Sequence, residues 1–342
     1  MLASNLDLGK HYPMSRILVC GLGLIGKQRV NALQKAGYGS ECIFVYDPII
    51  SSDKKSSEFI FIESLERAIE LNPTHVIIST PHDAAVMLAE VFLNLGSQVL
   101  MEKPMGRSLK ESSRLHENQN SKNLSIGFNY RFMPAIQTLK ERIESGSLGQ
   151  IHTIKLDLGH GGSPGDEKSW KLSLNEAGGG TVLDPGVHLL DILNYVFGAN
   201  SSNLVFKGAV KWQGFWNTGI EESVIAIGYL KETIVNLSVS VVAWKTRFEI
   251  EVIGTEGYVQ VSGRGRSDGP QRITAGERWG WRNGKTQNES ETKYIMAIND
   301  DSLILETQCW LSGNSSIAKS YDGLLAEQFR ESIMNLLDNE IH

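Results

Sequence analysis

The segment RILVCGLGLIGKQRVNALQKAG, residues 16–37, constrains the fold more than any other part of the chain. RILVC is a short apolar run, GLGLIG follows at once, and IGKQRVNALQKAG carries a helical pattern stopped by Gly37. Further strand-like runs follow: CIFVYD (42–47), THVIIST (74–80), SQVLME (97–102) and NLSIGFN (123–129), with helical patterns between most of them. Alternating β and α segments predict a parallel, doubly wound α/β sheet.

After about residue 150 the texture changes. IHTIKLDLG, ESVIAIGYL, TIVNLSVSVVAW, RFEIEVIG and GYVQVSG are strand-like segments divided by short polar or glycine turns. They predict a mostly antiparallel sheet, hence an α+β second domain, closed by helices over DSLILETQCWLSG and YDGLLAEQFRESIMNLLD. Residues 262–292 are polar and glycine-rich and take no assignment. With 342 residues, two domains are expected rather than one, here 14–133 and 134–342.

A net charge of −6 gives no electrostatic reason to expect nucleic acid or an anionic membrane as partner. Cys20, Cys42 and Cys309 are odd in number and lack metal-ligand spacing, which argues against a disulfide framework or a zinc site and points to a reducing cytoplasm. No run of 18 apolar residues occurs, and the N-terminus lacks a basic region followed by an apolar core. Because the first strand begins only at Arg16, Met14 is a candidate start, with residues 1–13 a loose tail.

Gly21, Gly23 and Gly26 match the dinucleotide fingerprint, whose glycines allow a tight turn, close approach of a pyrophosphate, and helix–strand packing. Asp47 ends the next strand 21 positions after Gly26, where a carboxylate can accept from both ribose hydroxyls and repel a 2′-phosphate. NAD is therefore expected over NADP, although Lys54 and Lys55 can reach toward a phosphate. The plain alternative is a glycine turn beside a surface aspartate.

Two further stretches carry chemistry. In EKP, residues 102–104, Lys103 follows a strand end, where ligands of doubly wound sheets sit, and its ammonium can donate to a substrate hydroxyl. In GGGTVLDPGVHLLD, residues 178–191, Pro185 suits a first helical position, which makes Asp184 the N-cap of a helix running to Gly198. His188 then lies one turn in on the Asp184 side, off the stripe formed by Leu189, Ile192, Leu193 and Val196. Two readings stand for this stretch: a capped helix with a surface histidine, or a ligand-accessible loop beside an oriented base.

Together GLGLIG, STP (79–81), VLMEKPM (99–105), GFNYRFMPA (127–135), Trp170 ahead of AGGG, and DPGVHLLD resemble the glucose-fructose oxidoreductase / inositol dehydrogenase / MocA family, in order and spacing along the whole chain. The resemblance implies an N-terminal Rossmann domain and a C-terminal domain with a large, open, mostly antiparallel sheet. It implies nicotinamide-dependent hydride transfer on a sugar, cyclitol or sugar derivative. By the family pattern Lys103, Asp184 and His188 are the catalytic lysine, aspartate and histidine, and Lys103–Pro104 is a cis bond. The implied cofactor set is Gly21, Gly23, Leu24, Ile25, Gly26, Asp47, Thr80, Pro81, His82, Glu102 and Lys103. One departure touches it: the family's TPN, with a histidine three residues after the Asn, is replaced by His82 and Ala85.

In the expected mechanism His188 takes the hydroxyl proton, Asp184 orients the imidazole, and Lys103 hydrogen-bonds the same oxygen. Asn129 and Arg131 are candidate substrate contacts, with a domain tie as the alternative for Arg131. Trp170 can wall the sugar site, and His160 is expected in solvent. Arg264, Arg266, Arg272, Arg278 and Arg282, among two tryptophans, can grip the diphosphate of a nucleotide-linked sugar, or form a solvated loop or a subunit contact. The competing class is a cofactor-binding sensor without turnover, which is expected to have lost the lysine or histidine that this chain retains. No metal is implied, and exposed sheet in the second domain predicts a homo-oligomer, dimer or tetramer.

Overall fold

Ile17–Cys20 (β1) is buried at all four positions, as a strand covered on both faces requires. The computed structural model describes residues 15–50, 56–283, 286 and 290–339; residues 1–13, Met14, Lys54 and Lys55 lie outside the described residues. After β1 come α1 (Leu24–Lys35), β2 (Ile43–Tyr46), β3 (Ile60–Ile62), α2 (Leu65–Glu70), β4 (His75–Ile78) and α3 (His82–Asn94). Then follow β5 (Gln98–Glu102), α4 (Leu109–His116), β6 (Leu124–Gly127) and α5 (Pro134–Glu144). The strands pair in parallel in the order β3-β2-β1-β4-β5-β6, so the direction of winding reverses between β1 and β4. Ligands of such sheets bind outside the carboxyl ends of the strands at that switch point. β3, a three-residue edge strand, lies outside the apolar runs that mark the other strands of this sheet.

The second half comprises β7 (Ile151–Gly159), α6 (Leu174–Ala177), α7 (Val187–Phe197), β8 (Leu204–Trp212), β9 (Ser223–Leu230), β10 (Thr233–Ser240), β11 (Arg247–Gly254), β12 (Gly257–Ser262), β13 (Gln271–Glu277) and β14 (Glu291–Ala297). They form a sheet in the order β14-β13-β12-β11-β7-β10-β9-β8, antiparallel except for the β10–β7 pair. The unassigned stretch 262–292 contains β13 and the start of β14. Helices α8 (Ser302–Leu311) and α9 (Ser320–Asn339) end the described chain. Helix α8 packs on α1, and Ile126 N–H donates to Ala318 O at 3.0 Å, so the chain returns to the first sheet. One buried apolar cluster runs from Ile78 and Met101 through Phe128 and Met133 to Leu156, Val235 and Phe329, joining both sheets.

Candidate active site

The glycine loop is shaped for an anion. Gly21 has φ +88°, and a Cβ there would come within 2.8 Å of Ser79 O, so only glycine makes this turn. Above Gly23 a Cβ would meet nothing within 4 Å, and α1 starts there with no side-chain cap and no acid in its first turn. Its free N–H groups and dipole therefore face open space. Asp47 accepts from Leu22 N–H (2.7 Å) and Ile49 N–H (2.9 Å), which fixes its carboxylate at the end of β2. The Thr80 hydroxyl is buried with no partner among the described residues, and Leu24 is 75% exposed at the loop tip. An unsatisfied hydroxyl, an uncapped helix and an oriented carboxylate suit a dinucleotide.

Lys103 leaves the end of β5 across a cis Lys103–Pro104 bond, and its ammonium donates to Asp184 Oδ1. Lys171 lies 3.4 Å from Asp184 Oδ2. Burial would raise the Asp184 carboxyl, but the two ammonium groups and His82 hold it well below the usual carboxylate range. Asp184 also raises Lys171 against the effect of burial. Asp184 is thus not a helix cap. The 184–185 bond is also cis, α7 begins at Val187, and its cap is Gly186. Gly198, with φ 67°, ends the helix as expected.

His188 differs more sharply from expectation. Helix α7 is buried on several sides, and His188 is only 6% exposed. Its ring stacks on Tyr130 at 4.0 Å and 6°, and meets the edge of Phe128 at 6.3 Å. Asp184 spends its hydrogen bonds on lysines, so the tyrosine face, rather than the carboxylate, sets the plane of the imidazole. Burial and then the Lys103 charge push His188 well below its ordinary value, against the smaller pull of Asp184. Nδ1 is buried with no partner among the described residues, which leaves Nε2 as the nitrogen able to meet a ligand.

Several expected contacts are engaged elsewhere. Asn129 donates to Ser302 Oγ at 2.7 Å, and Arg131 forms a buried pair with Asp191 at 2.5 Å plus a 3.0 Å contact with Asp322, making Arg131 the domain tie. Glu102 is held by Arg29 at 2.6 Å, which also binds Glu306 of α8 at 2.5 Å. Pro81 precedes α3 as its cap residue, and Ile25 lies half-buried in α1. His82 is buried; its Nδ1 is 2.9 Å from Ala177 O and its ring meets Trp170 edge-on at 4.8 Å.

A cavity of about 270 Å³ lies beside Asp184, lined among others by His160, Asp166, Lys171, Thr181, Trp216 and Val241. His160, expected in solvent, is half-buried there and lowered by burial. Trp170 does not line it, though Ser169, Lys171 and Leu172 do. The arginines do not converge: Arg264 binds Tyr130 OH (2.7 Å) and Asp268, Arg266 binds Asp300 (2.5 Å), and Arg278 donates to Gly254 O (2.7 Å). Lys171, Tyr130 and Thr181 were not among the expected site residues, although Lys171 adjoins Trp170, Tyr130 lies in GFNYRFMPA and Thr181 in GGGTVLDPGVHLLD.

The fold and its glycine loop define a two-part protein built on a nucleotide-binding Rossmann sheet. Residues 15–130 match an oxidoreductase family profile with an NAD-binding Rossmann fold, and residues 136–260 match the GFO/IDH/MocA C-terminal domain. The chain belongs to the glucose-fructose oxidoreductase / inositol dehydrogenase / MocA family. The scyllo-inositol 2-dehydrogenase (NAD(+)) of Bacillus subtilis is 25% identical over 262 residues, 71% of this chain and 72% of that protein. Three other curated relatives, a levoglucosan dehydrogenase, a glucose-6-phosphate 3-dehydrogenase and the putative oxidoreductase YteT, are matched over about a third to a half of their length. In fold the chain resembles a levoglucosan dehydrogenase in complex with NADH and levoglucosan, with TM-score 0.80, 17% identity, and 95% and 97% of the two chains covered. It also resembles KijD10, a 3-ketoreductase from Actinomadura kijaniata in complex with NADP and TDP-benzene, with TM-score 0.75, 16% identity, and 94% and 98% covered. Among the described residues no group of side chains could hold a metal ion, and no helix is long and apolar enough to cross a membrane.

Proposed function

We propose that this protein is a nicotinamide-dependent dehydrogenase that interconverts a secondary alcohol of a sugar or cyclitol and the corresponding ketone. The observation that carries the proposal is the part-buried Lys103–Asp184 pair at the end of β5, whose charges act on His188, together with a cavity that Asp184, though neither Lys103 nor His188, lines. The nicotinamide, when bound, supplies the hydride acceptor or donor. Nε2 of His188 takes the hydroxyl proton, because a neutral imidazole has a free lone pair. Lys103 donates a hydrogen bond to the same oxygen and stabilises its developing negative charge. Asp184 balances the part-buried ammonium of Lys103 and the more exposed one of Lys171.

NAD is preferred over NADP, since Asp47 would repel a 2′-phosphate. Residues 14–133 form the cofactor half and 134–342 the substrate half. Native mass spectrometry of the purified protein tests the cofactor assignment. Retained NAD(H), lost in Asp47→Ala, is the expected result; NADP(H) overturns the Asp47 argument, and no binding of either cofactor sinks the dehydrogenase.

A further inference from the structure

The connection from β8 to β9 ends in two consecutive buried carboxylates, Glu221 and Glu222, 5% and 1% exposed. Glu221 Oε1 accepts from the Gly180 and Val182 amides at 3.1 and 3.4 Å, and its backbone carbonyl accepts from Thr181 N–H at 3.0 Å. This contact also explains one of the bare residues of the GGG run. A Cβ on Gly180 would come 2.2 Å from Glu221 O. Glu222 holds a different segment: Oε2 accepts from Gly214 and Phe215 N–H at 3.1 and 2.8 Å, and Oε1 from Trp216 N–H at 2.8 Å. Burying a carboxylate is costly, and spending its hydrogen bonds on loop amides indicates that the position of those loops matters.

Both anchored segments line the cavity beside Asp184. On the first, the Thr181 hydroxyl is buried with no partner among the described residues. On the second, Trp216 packs so closely on Gly162 that a Cβ there would come 2.6 Å from its ring. The lining sets Asp166 and Asp184 against Lys171, whose ammonium already sits on Asp184. A phosphate entering here meets two carboxylates and no lining arginine, and Arg264, whose charge reaches His160 and His188, is already held by Asp268 and Tyr130 OH. A hydroxylated ring finds carboxylate acceptors, an unsatisfied hydroxyl and an aromatic wall. The volume lies just below the ~300–1,000 Å³ of ordinary ligand pockets.

We propose that Glu221 and Glu222 are paired positioning residues that fix two walls of this cavity, and that Thr181 and Trp216 on those walls select an uncharged polyhydroxylated ring over a phosphorylated or nucleotide-linked sugar. The proposal rests on the dehydrogenase assignment in taking this cavity as the substrate site. Calorimetric titration of the full-length, NAD-loaded protein with myo-inositol, glucose, glucose 6-phosphate and UDP-glucose tests it. At least one uncharged probe binds, and Thr181→Val and Trp216→Ala each weaken it about tenfold, the scale of one buried hydrogen bond or stacking contact. Thr181→Ser restores binding. Glu222→Gln weakens the same probe while leaving NAD affinity unchanged, which a general loss of structure would not do. Binding of the charged probes alone, of none of the four, or binding indifferent to Thr181 and Trp216 overturns the proposal. Turnover separates the two ideas: Lys103-dependent oxidation of a charged sugar alone keeps the dehydrogenase and removes this pocket assignment. An uncharged ring bound as described but never oxidised with either cofactor does the reverse.

Discussion

A histidine stacked on a tyrosine inside the protein can act as a base only if it stays neutral, and the surroundings of His188 ensure that it does. The folded protein refuses a proton that the unfolded chain takes up near 6.5, so His188 makes stability fall as pH drops through that value. Its contribution to turnover is the opposite of a titrating base: kcat shows no acid limb near pH 6.5 arising from this residue. A pH profile of kcat with an inflection there, absent in His188→Gln, would contradict this. Denaturant unfolding of the same pair shows a shallower acid slope in the variant. Asp184 behaves in the other sense. Its folded value is depressed, so its stabilisation is fully present above the unfolded value of about 4 and is lost only as pH falls through the lower folded one. Asp184→Asn leaves the part-buried Lys103 ammonium without its counter-charge, and we expect a loss on the order of 2 kcal/mol, constant between pH 6 and 8 by chemical denaturation, with kcat reduced about a hundredfold. Near-wild-type turnover would remove Asp184 from the mechanism.

Helix α7 shows what a local pattern can and cannot reveal. Asp-Pro before an apolar run is a sound capping signal, and Gly198 ends the helix where glycine predicts. The carboxylate was nevertheless claimed by Lys103, 81 positions away, a pairing that no local spacing encodes. The same limit hid Tyr130 and Glu221, whose roles arise only when loops from separate strands meet. The β1–α1 turn, β2, β4, β5 and β6 were legible because buried parallel strands are short apolar runs. Strand β14, exposed at four central positions, and β8, with its irregular register near Gly208, lack the alternation that marks a strand. Helix α8 carries a consequence of its own. Glu306 lies fully buried on Arg29, and burial, against the pull of Arg29, raises its carboxyl to about 7 from 4.5. Between those values the folded state holds a proton that the unfolded state has lost, so stability falls as pH rises across that window. Glu306→Gln keeps an oxygen acceptor for Arg29 and removes this slope. Its Tm relative to wild type is therefore more favourable at pH 8 than at pH 5, and an equal offset at both would show that Glu306 is ionised throughout.

The two sheets are covered unequally. The parallel sheet is buried on both faces, as βαβ winding requires, whereas the antiparallel sheet has α9 packed on β8 and α5 on β12 to β14, and carries a row of exposed apolar side chains. Strand β9 alternates strictly, exposing Ile225, Ile227 and Tyr229. Register then assembles a patch: Tyr229 lies opposite Val205 on β8 and Ile234 on β10, and Ile225 lies opposite Val210. All of these are roughly half exposed, from 46% to 54%, and Trp212 at the end of β8 is 53% exposed. Scattered apolar side chains on a surface need no explanation, but a contiguous set across three strands marks a contact face. The same surface on a second copy is the natural cover, because an isologous interface needs one self-complementary patch. We therefore expect at least a dimer by size-exclusion chromatography with light scattering, and Ile227→Arg, a charge set at the centre of the patch, shifts it toward monomer. A wild-type monomer at micromolar concentration would refute this, and an unchanged oligomer in Ile227→Arg would move the interface elsewhere. In either case the glycine loop and Asp47 lie in the other sheet, so NAD affinity is expected to stay the same in the arginine variant.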